Sequence, residues 1–182
     1  MKATGIVRRI DDLGRVVIPK DIRRTLRLRE GTPLEIFTDR EGEIIRTKYS
    51  PMAELSSFAM QYADALAQST GLAVCITDRD QVIAVAGGLK KDLLQKSISK
   101  TLEQSIMERN NVVADGTDGR LIPITDEDAD GYSGQVTAVI LCEGDAIGAV
   151  ILLSKDPQYR VGTLEQKLAL TAAGFLGRQM ES

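Results

Sequence analysis

The chain of 182 residues has no histidine and no tryptophan, only two cysteines, and aromatic side chains at 4% of its length. Without histidine there is no imidazole to act as general base, metal ligand or haem ligand. Two cysteines are too few for a zinc ribbon. Cys75 and Cys142 each lie inside an apolar run, where a thiol packs as a small hydrophobe. Such cysteine usage, with no leader-like segment at the start, suits a reducing cytosol and sets the expectation of a cytoplasmic protein. No apolar run is long enough to span a bilayer, so no membrane partner is expected. Scarce aromatics argue against a reader that stacks single-stranded bases. The expected set of catalytic groups, metals and cofactors is therefore empty.

What is present is charge, unevenly spread. The formal net charge is −3, yet residues 1–29 hold nine Lys/Arg against three Asp/Glu. Over 1–49 the count is twelve against eight, leaving eleven against eighteen for the acidic remainder. A local inversion of sign on turn-and-strand chemistry marks a surface that meets a polyanion. Residues 5–10 and 15–18 are β-branched runs separated by the turn-forming Asp11-Asp12-Leu13-Gly14. Alternation puts Ile6, Arg8 and Ile10 on one side and Val7 and Arg9 on the other. Pro19 suits the first turn of a helix predicted over 20–27, with Ile22 and Leu26 sharing a face and Arg23, Arg24 and Arg27 pointing elsewhere. A second hairpin is predicted from 34–38 and 43–48, and it carries most of the acids.

A unit of some 50 residues is near the lower limit for burying an adequate core, so its size calls for a partner copy. The stretch GIVRRIDDLGRVVIPKDIRRTL, within residues 1–48, resembles the swapped-hairpin DNA-binding domain of the AbrB family of bacterial transition-state regulators. The resemblance implies hairpins of two chains interleaved into one dimeric β-barrel. It also implies that Arg8, Arg15, Arg23 and Arg24 contact double-stranded DNA, with Arg9 suited to an auxiliary phosphate contact. Eight such arginines in a dimer would give a log–log salt slope of about −5 to −8. No helix here is long enough to fill a major groove, so readout is expected to mix phosphate contacts with DNA shape.

The expected division is 1–50 and 51–182. The junction is short: Ser50 can cap and Pro51 can open a helix predicted over 51–69, with Leu55, Phe58, Ala59, Tyr62 and Leu66 as its stripe. A strand running almost directly into a helix transmits orientation better than a floppy tether. Strands are predicted over 72–77 and 81–86, a helix over 93–108, and short strands over 112–114 and 120–125. The strongest pair is 135–142 with 146–153 around Glu143-Gly144-Asp145. Thr163 is read as opening a last helix in a capping box with Gln166, with Leu164, Leu168, Thr171, Ala172 and Phe175 as its apolar stripe.

This order, and GDAIGAVILLSKD in particular, resembles a GAF domain. The fold class is thus α+β, an AbrB-like swapped-hairpin barrel followed by a GAF-like domain for sensing or oligomerisation. With YADALAQSTGLAVCITDRD and TAAGFLGRQME, the full chain is similar to transcription regulators, activators and repressors, of sporulation genes in the forespore of Gram-positive bacteria. That likeness implies a homotetramer built from swapped dimers and leaves room for an unknown small-molecule ligand in the second domain.

Competing readings are weaker. Residues 126–131, DEDADG, imitate the opening of a calcium loop, but Thr137 occupies the position that needs a bidentate carboxylate. Gly87-Gly88-Leu89-Lys90-Lys91 lacks Walker spacing. Antitoxins of the MazE type share the swapped-hairpin fold but usually carry a flexible acidic tail, whereas 51–182 reads as a folded domain. Some GAF proteins are sensors or enzymes, including a cysteine-dependent methionine sulfoxide reductase; thiols at strand centres do not suit that chemistry.

Overall fold

The chain divides into two units, residues 1–49 and 50–182, in this computed structural model. The structure describes residues 7–25, 28, 30, 34–38, 44–48, 56–89, 93–115, 120–127 and 131–180.

In unit 1, Gly14 takes φ +74° and completes a turn closed by two bonds, Asp11 N–H to the Arg15 carbonyl and Gly14 N–H to the Asp11 carbonyl, each 3.0 Å. A left-handed residue is what glycine adopts at no steric cost. Helix α1, Lys20–Thr25, starts directly after Pro19, whose carbonyl accepts the Arg23 N–H at 2.9 Å. Strands β1, Leu34–Thr38, and β2, Ile44–Lys48, pair antiparallel with Leu34 opposite Lys48 and Thr38 opposite Ile44. The second predicted hairpin is thus present. Its turn at 39–42, the predicted helix end at 26–27 and the helix start at 51–55 lie outside the described residues.

The first hairpin differs from expectation. Residues 7–10 and 15–18 make the turn but no strand, because no described strand of the same chain pairs with them. Val7, Ile10, Leu13 and Val17 are 85%, 64%, 69% and 72% exposed, and no described side chain of unit 1 is buried.

Unit 2 is a GAF-like α+β sheet domain. In chain order it comprises α2 (Ser56–Thr70), β3 (Ala73–Asp78), β4 (Val82–Ala86), α3 (Lys100–Met107), β5 (Val112–Asp115), β6 (Gly134–Cys142), β7 (Asp145–Ser154) and α4 (Thr163–Gln179). The five strands run β4-β3-β7-β6-β5, antiparallel at every neighbour. Period-2 alternation sends Val150 and Leu152 of β7 to one face and Ala149, Ile151 and Leu153 to the other. Helices α2 and α4 cover the first face with Ala59, Ala63, Leu66, Ala169, Ala172 and Leu176. Helix α3 covers the second with Leu102 and Ile106, beside Ile98 and Ile124. Gly177 lets α4 rest on β6, since a Cβ there would overlap the Leu141 carbonyl oxygen. Cys75 is buried in β3 and Cys142 half-buried at the end of β6.

Five local expectations change. The helix predicted over 93–108 begins only at Lys100. Residues 93–98 pair back to the sheet edge instead, through Val82 N–H to the Lys96 carbonyl and a bridge from Gln81 to Ser97, with Gln95 at φ +65°. Ser99 caps α3 by accepting the Leu102 N–H at 3.0 Å. Residues 120–125 form no strand, because the buried Gln135 side chain bonds both the N–H and the carbonyl of Ile122, at 2.6 and 2.9 Å. Helix α4 is capped by Glu165 rather than Gln166: its Oε2 accepts the Gly162 N–H at 2.7 Å. Its buried stripe is Glu165, Ala169, Ala172, Ala173 and Leu176, so Leu164 and Phe175 of the predicted stripe are exposed. Likewise Phe58 of α2 is exposed, and Tyr62 stacks on Phe175 with ring centroids 5.2 Å apart.

Candidate nucleic-acid interface

Asp11 organises the basic end of unit 1. Its Oδ1 accepts the Leu13 N–H at 3.0 Å and the Arg15 N–H at 2.7 Å. Its Oδ2 accepts from Arg15 Nε at 2.8 Å. A short carboxylate that bonds backbone two and more residues on is the usual aspartate device for a tight turn. The Arg15 amide, then its guanidinium, hold the Asp11 carboxyl below the usual aspartate range, with Leu13 adding to this and slight desolvation opposing it.

All five arginines singled out by sequence are exposed. Arg8 and Arg9 precede the turn, Arg15 closes it, and Arg23 and Arg24 ride on α1. Arg15 is tied to the turn, whereas the others are held loosely. Arg8 reaches the Val7 carbonyl at 3.5 Å, and Arg24 lies 3.8 Å from Asp21 with both side chains in solvent. Exposed pairs of that kind contribute little and yield readily to a stronger anion. The set supplies guanidinium forks suited to bidentate contact with phosphate oxygens or guanine edges. Asp11 was read from sequence only as a turn former. The spacing of an aspartate four residues before an arginine, across a glycine turn, was the signal that ties the two.

Unit 2 offers different chemistry. Thr77 on β3 and Thr137 on β6 are buried on the α3 side of the sheet, and their hydroxyls have no hydrogen-bond partner among the described residues. Among the described residues, no group of three or more His, Cys, Asp or Glu could hold a metal ion. Residues 128–130 of the acidic run, Asp128-Ala129-Asp130, lie outside the described residues. No helix among the described residues is long and apolar enough to cross a membrane.

Comparison with known proteins follows the same division. Residues 54–181 match the family described as stage V sporulation protein T C-terminal, transcription factor, and residues 7–52 match antidote-toxin recognition MazE, bacterial antitoxin. Stage V sporulation protein T of Bacillus subtilis is 57% identical over 182 residues, covering 100% of this chain and 99% of that protein. Transition state regulatory protein AbrB of the same organism is 59% identical over 51 residues, which are 28% of this chain and 52% of that protein. Among solved structures, the GAF domain region of a membrane protein from Geobacter sulfurreducens aligns with TM-score 0.55 at 15% identity, over 70% of this chain and 93% of that one. The GAF domain of an Acinetobacter phosphoenolpyruvate-protein phosphotransferase gives 0.54 at 12%, over 71% and 87%. At such identities the likeness establishes the GAF fold and nothing further. With its basic AbrB-like unit, its GAF-like unit and a match along its whole length, the chain belongs to the stage V sporulation protein T family of transcription factors.

Proposed function

We propose that this DNA-binding transcriptional regulator of sporulation genes grips duplex DNA through Arg8, Arg9, Arg15, Arg23 and Arg24 of residues 1–50, and that residues 51–182 sense a signal or set the oligomeric state. The observation that carries this reading is that all five arginines are exposed around one turn and one short helix, in a unit whose charge opposes that of the rest. Phosphate contacts from such a set supply affinity, while its two segments supply register on the duplex.

Assembly follows from what the chain leaves uncovered. Val7, Ile10, Leu13 and Val17 are the apolar faces of the first hairpin, and a second copy lacing its hairpin against them would give unit 1 a core. Phe58, Leu164 and Phe175 form a second uncovered set on α2 and α4, suited to joining two such dimers into a tetramer. A small polar ligand on the α3 side of the sheet is the reading that Thr77 and Thr137 favour, because buried hydroxyls without partners are costly. The absence of histidine and the cytosolic cysteine usage support a non-catalytic, cytoplasmic role. An antitoxin reading draws on the match over 7–52 alone, and a closed domain with helices on both faces of its sheet replaces the toxin-wrapping tail it would need.

The test is a mobility shift of the full chain on a duplex selected by the protein from a random pool, at two salt concentrations, with light scattering for mass. The expected result is binding that strengthens steeply at low salt and a mass four times 19.8 kDa, reduced by Phe175→Asp. Arg15→Ala and Arg23→Ala should each cost about 1–3 kcal/mol of binding. Salt-independent binding, or co-purification with a toxin in place of DNA binding, would refute the reading.

A further inference from the structure

We infer that Asp11 is a positioning residue for DNA recognition, holding Arg15 so that the outer edge of its guanidinium is preset toward the ligand. The inference rests on the proposed reading of Arg15 as a DNA contact and deepens it. A carboxylate at a phosphate-binding surface is, on charge alone, a liability, because it repels the polyanion. Stability does not explain it either: the Asp11–Arg15 pair is 34% and 69% exposed, and pairs that open to water add little.

The geometry supplies the reason. Oδ1 takes two backbone N–H groups and fixes the turn, while Oδ2 takes Arg15 Nε from inside the turn. Nε is the inner donor of the fork. The two terminal nitrogens, which carry the paired N–H groups suited to phosphate oxygens or a guanine edge, make no bond with any described residue. A free arginine side chain loses much rotamer freedom when it is pinned by a ligand. One that is already pinned through Nε loses less, and it offers its fork in one orientation only. Asp11 therefore trades general attraction to DNA for discrimination among duplexes.

That trade has a signature a turn-forming role alone would not produce. Asp11→Asn keeps its one oxygen for the Leu13 and Arg15 amides, and then faces Arg15 Nε with an amide NH2 that cannot accept its bond. The full-length variant is assayed on a duplex selected by the wild-type chain and on a scrambled duplex of equal composition. Expected are a loss of about tenfold on the selected duplex, an unchanged or higher affinity on the scrambled one, and an unchanged melting temperature. In an Arg15→Ala background the same substitution should cause no further loss on the selected duplex. Equal gains on both duplexes would overturn the inference, leaving Asp11 as a mere repulsive charge. Parallel losses on both with a lowered melting temperature would overturn it in favour of a turn support. If Arg15→Ala costs selected-duplex affinity while Asp11→Asn does not, only the positioning role fails. If Arg15→Ala costs nothing, the reading of Arg15 as a DNA contact falls and the positioning role with it.

Discussion

Ile151 and Leu152 stand side by side on β7, point to opposite faces of the sheet, and are both fully buried, one under α3 and one under α2 and α4. Val17 of unit 1 belongs to a run of the same β-branched character and stays in solvent, as do Val7, Ile10 and Leu13. The two units thus spend similar apolar alternation differently. Unit 2 closes over its own side chains because its strands find partners and helices within the chain. Unit 1 keeps its first hairpin open and surrounds it with arginine. Self-sufficient packing goes with the acidic unit, and an uncovered apolar hairpin goes with the basic one.

The largest test of this contrast is Leu152→Ala, which empties a fully buried apolar site between the sheet and helices α2 and α4. It should cost unit 2 about 2–5 kcal/mol. Calorimetry of the full chain should show one transition falling steeply and the other unmoved; a shift of both would mean the units do not unfold independently. Next in size is Val17→Ala. In a lone chain the residue is exposed and the change should be nearly silent, but if a second copy covers it the loss is about 1–2 kcal/mol. The transition of unit 1 should also fall on dilution, by about 1.4 kcal/mol of dimer stability per tenfold change in concentration, while that of unit 2 stays put. A silent Val17→Ala with no concentration dependence would break the contrast.

Much of this was legible from sequence where the signal is local. Asp11 to Gly14 and Pro19 announce a turn and a helix start through backbone chemistry, and the β6–β7 hairpin announces itself by a long β-rich run around Glu143-Gly144-Asp145. The errors arise where a distant group decides. Residues 120–125 have strand composition, but Gln135, well along the chain, occupies the very backbone groups a ladder would use. On α4 the larger side chains Leu164 and Phe175 suggested the inner face, yet close contact with the sheet selects the smaller Ala169, Ala172, Ala173 and Gly177. The α2 stripe erred in part for the same reason: Ala59, Ala63, Leu66 and Ala67 face inward while Phe58 does not. Size on a helix wheel reports apolarity, and packing distance then chooses among apolar faces. The link between Asp11 and Arg15 was missed because a turn former was a sufficient account of the aspartate.

The smallest expected effect sharpens the contrast through two carboxylates. Asp11 and Glu165 both sit below their ordinary pKa, but Asp11 is exposed and Glu165 is buried. Burial by itself pushes Glu165 up. Hydrogen bonds from the Tyr159 hydroxyl at 2.7 Å, from its own N–H and from the Gly162 N–H outweigh that push. A folded-state value below the unfolded one contributes stability above the ordinary carboxyl range near 4.5, and that stability is lost as pH falls through the folded value. Tyr159, raised above 10.0 chiefly by its bond to Glu165, contributes below that value and loses its share as pH climbs through the raised one. Tyr159→Phe should therefore cost unit 2 about 1 kcal/mol at neutral pH and flatten its stability profile at both limbs. Unfolding of unit 2 followed from pH 3 to 10.5 checks it, and an acid limb that Tyr159→Phe leaves as steep as before would assign acid sensitivity to another carboxylate. Acidification of Asp11 should instead read out as lost discrimination between duplexes with little change in melting, because the bonds it makes orient a side chain in water and bury nothing.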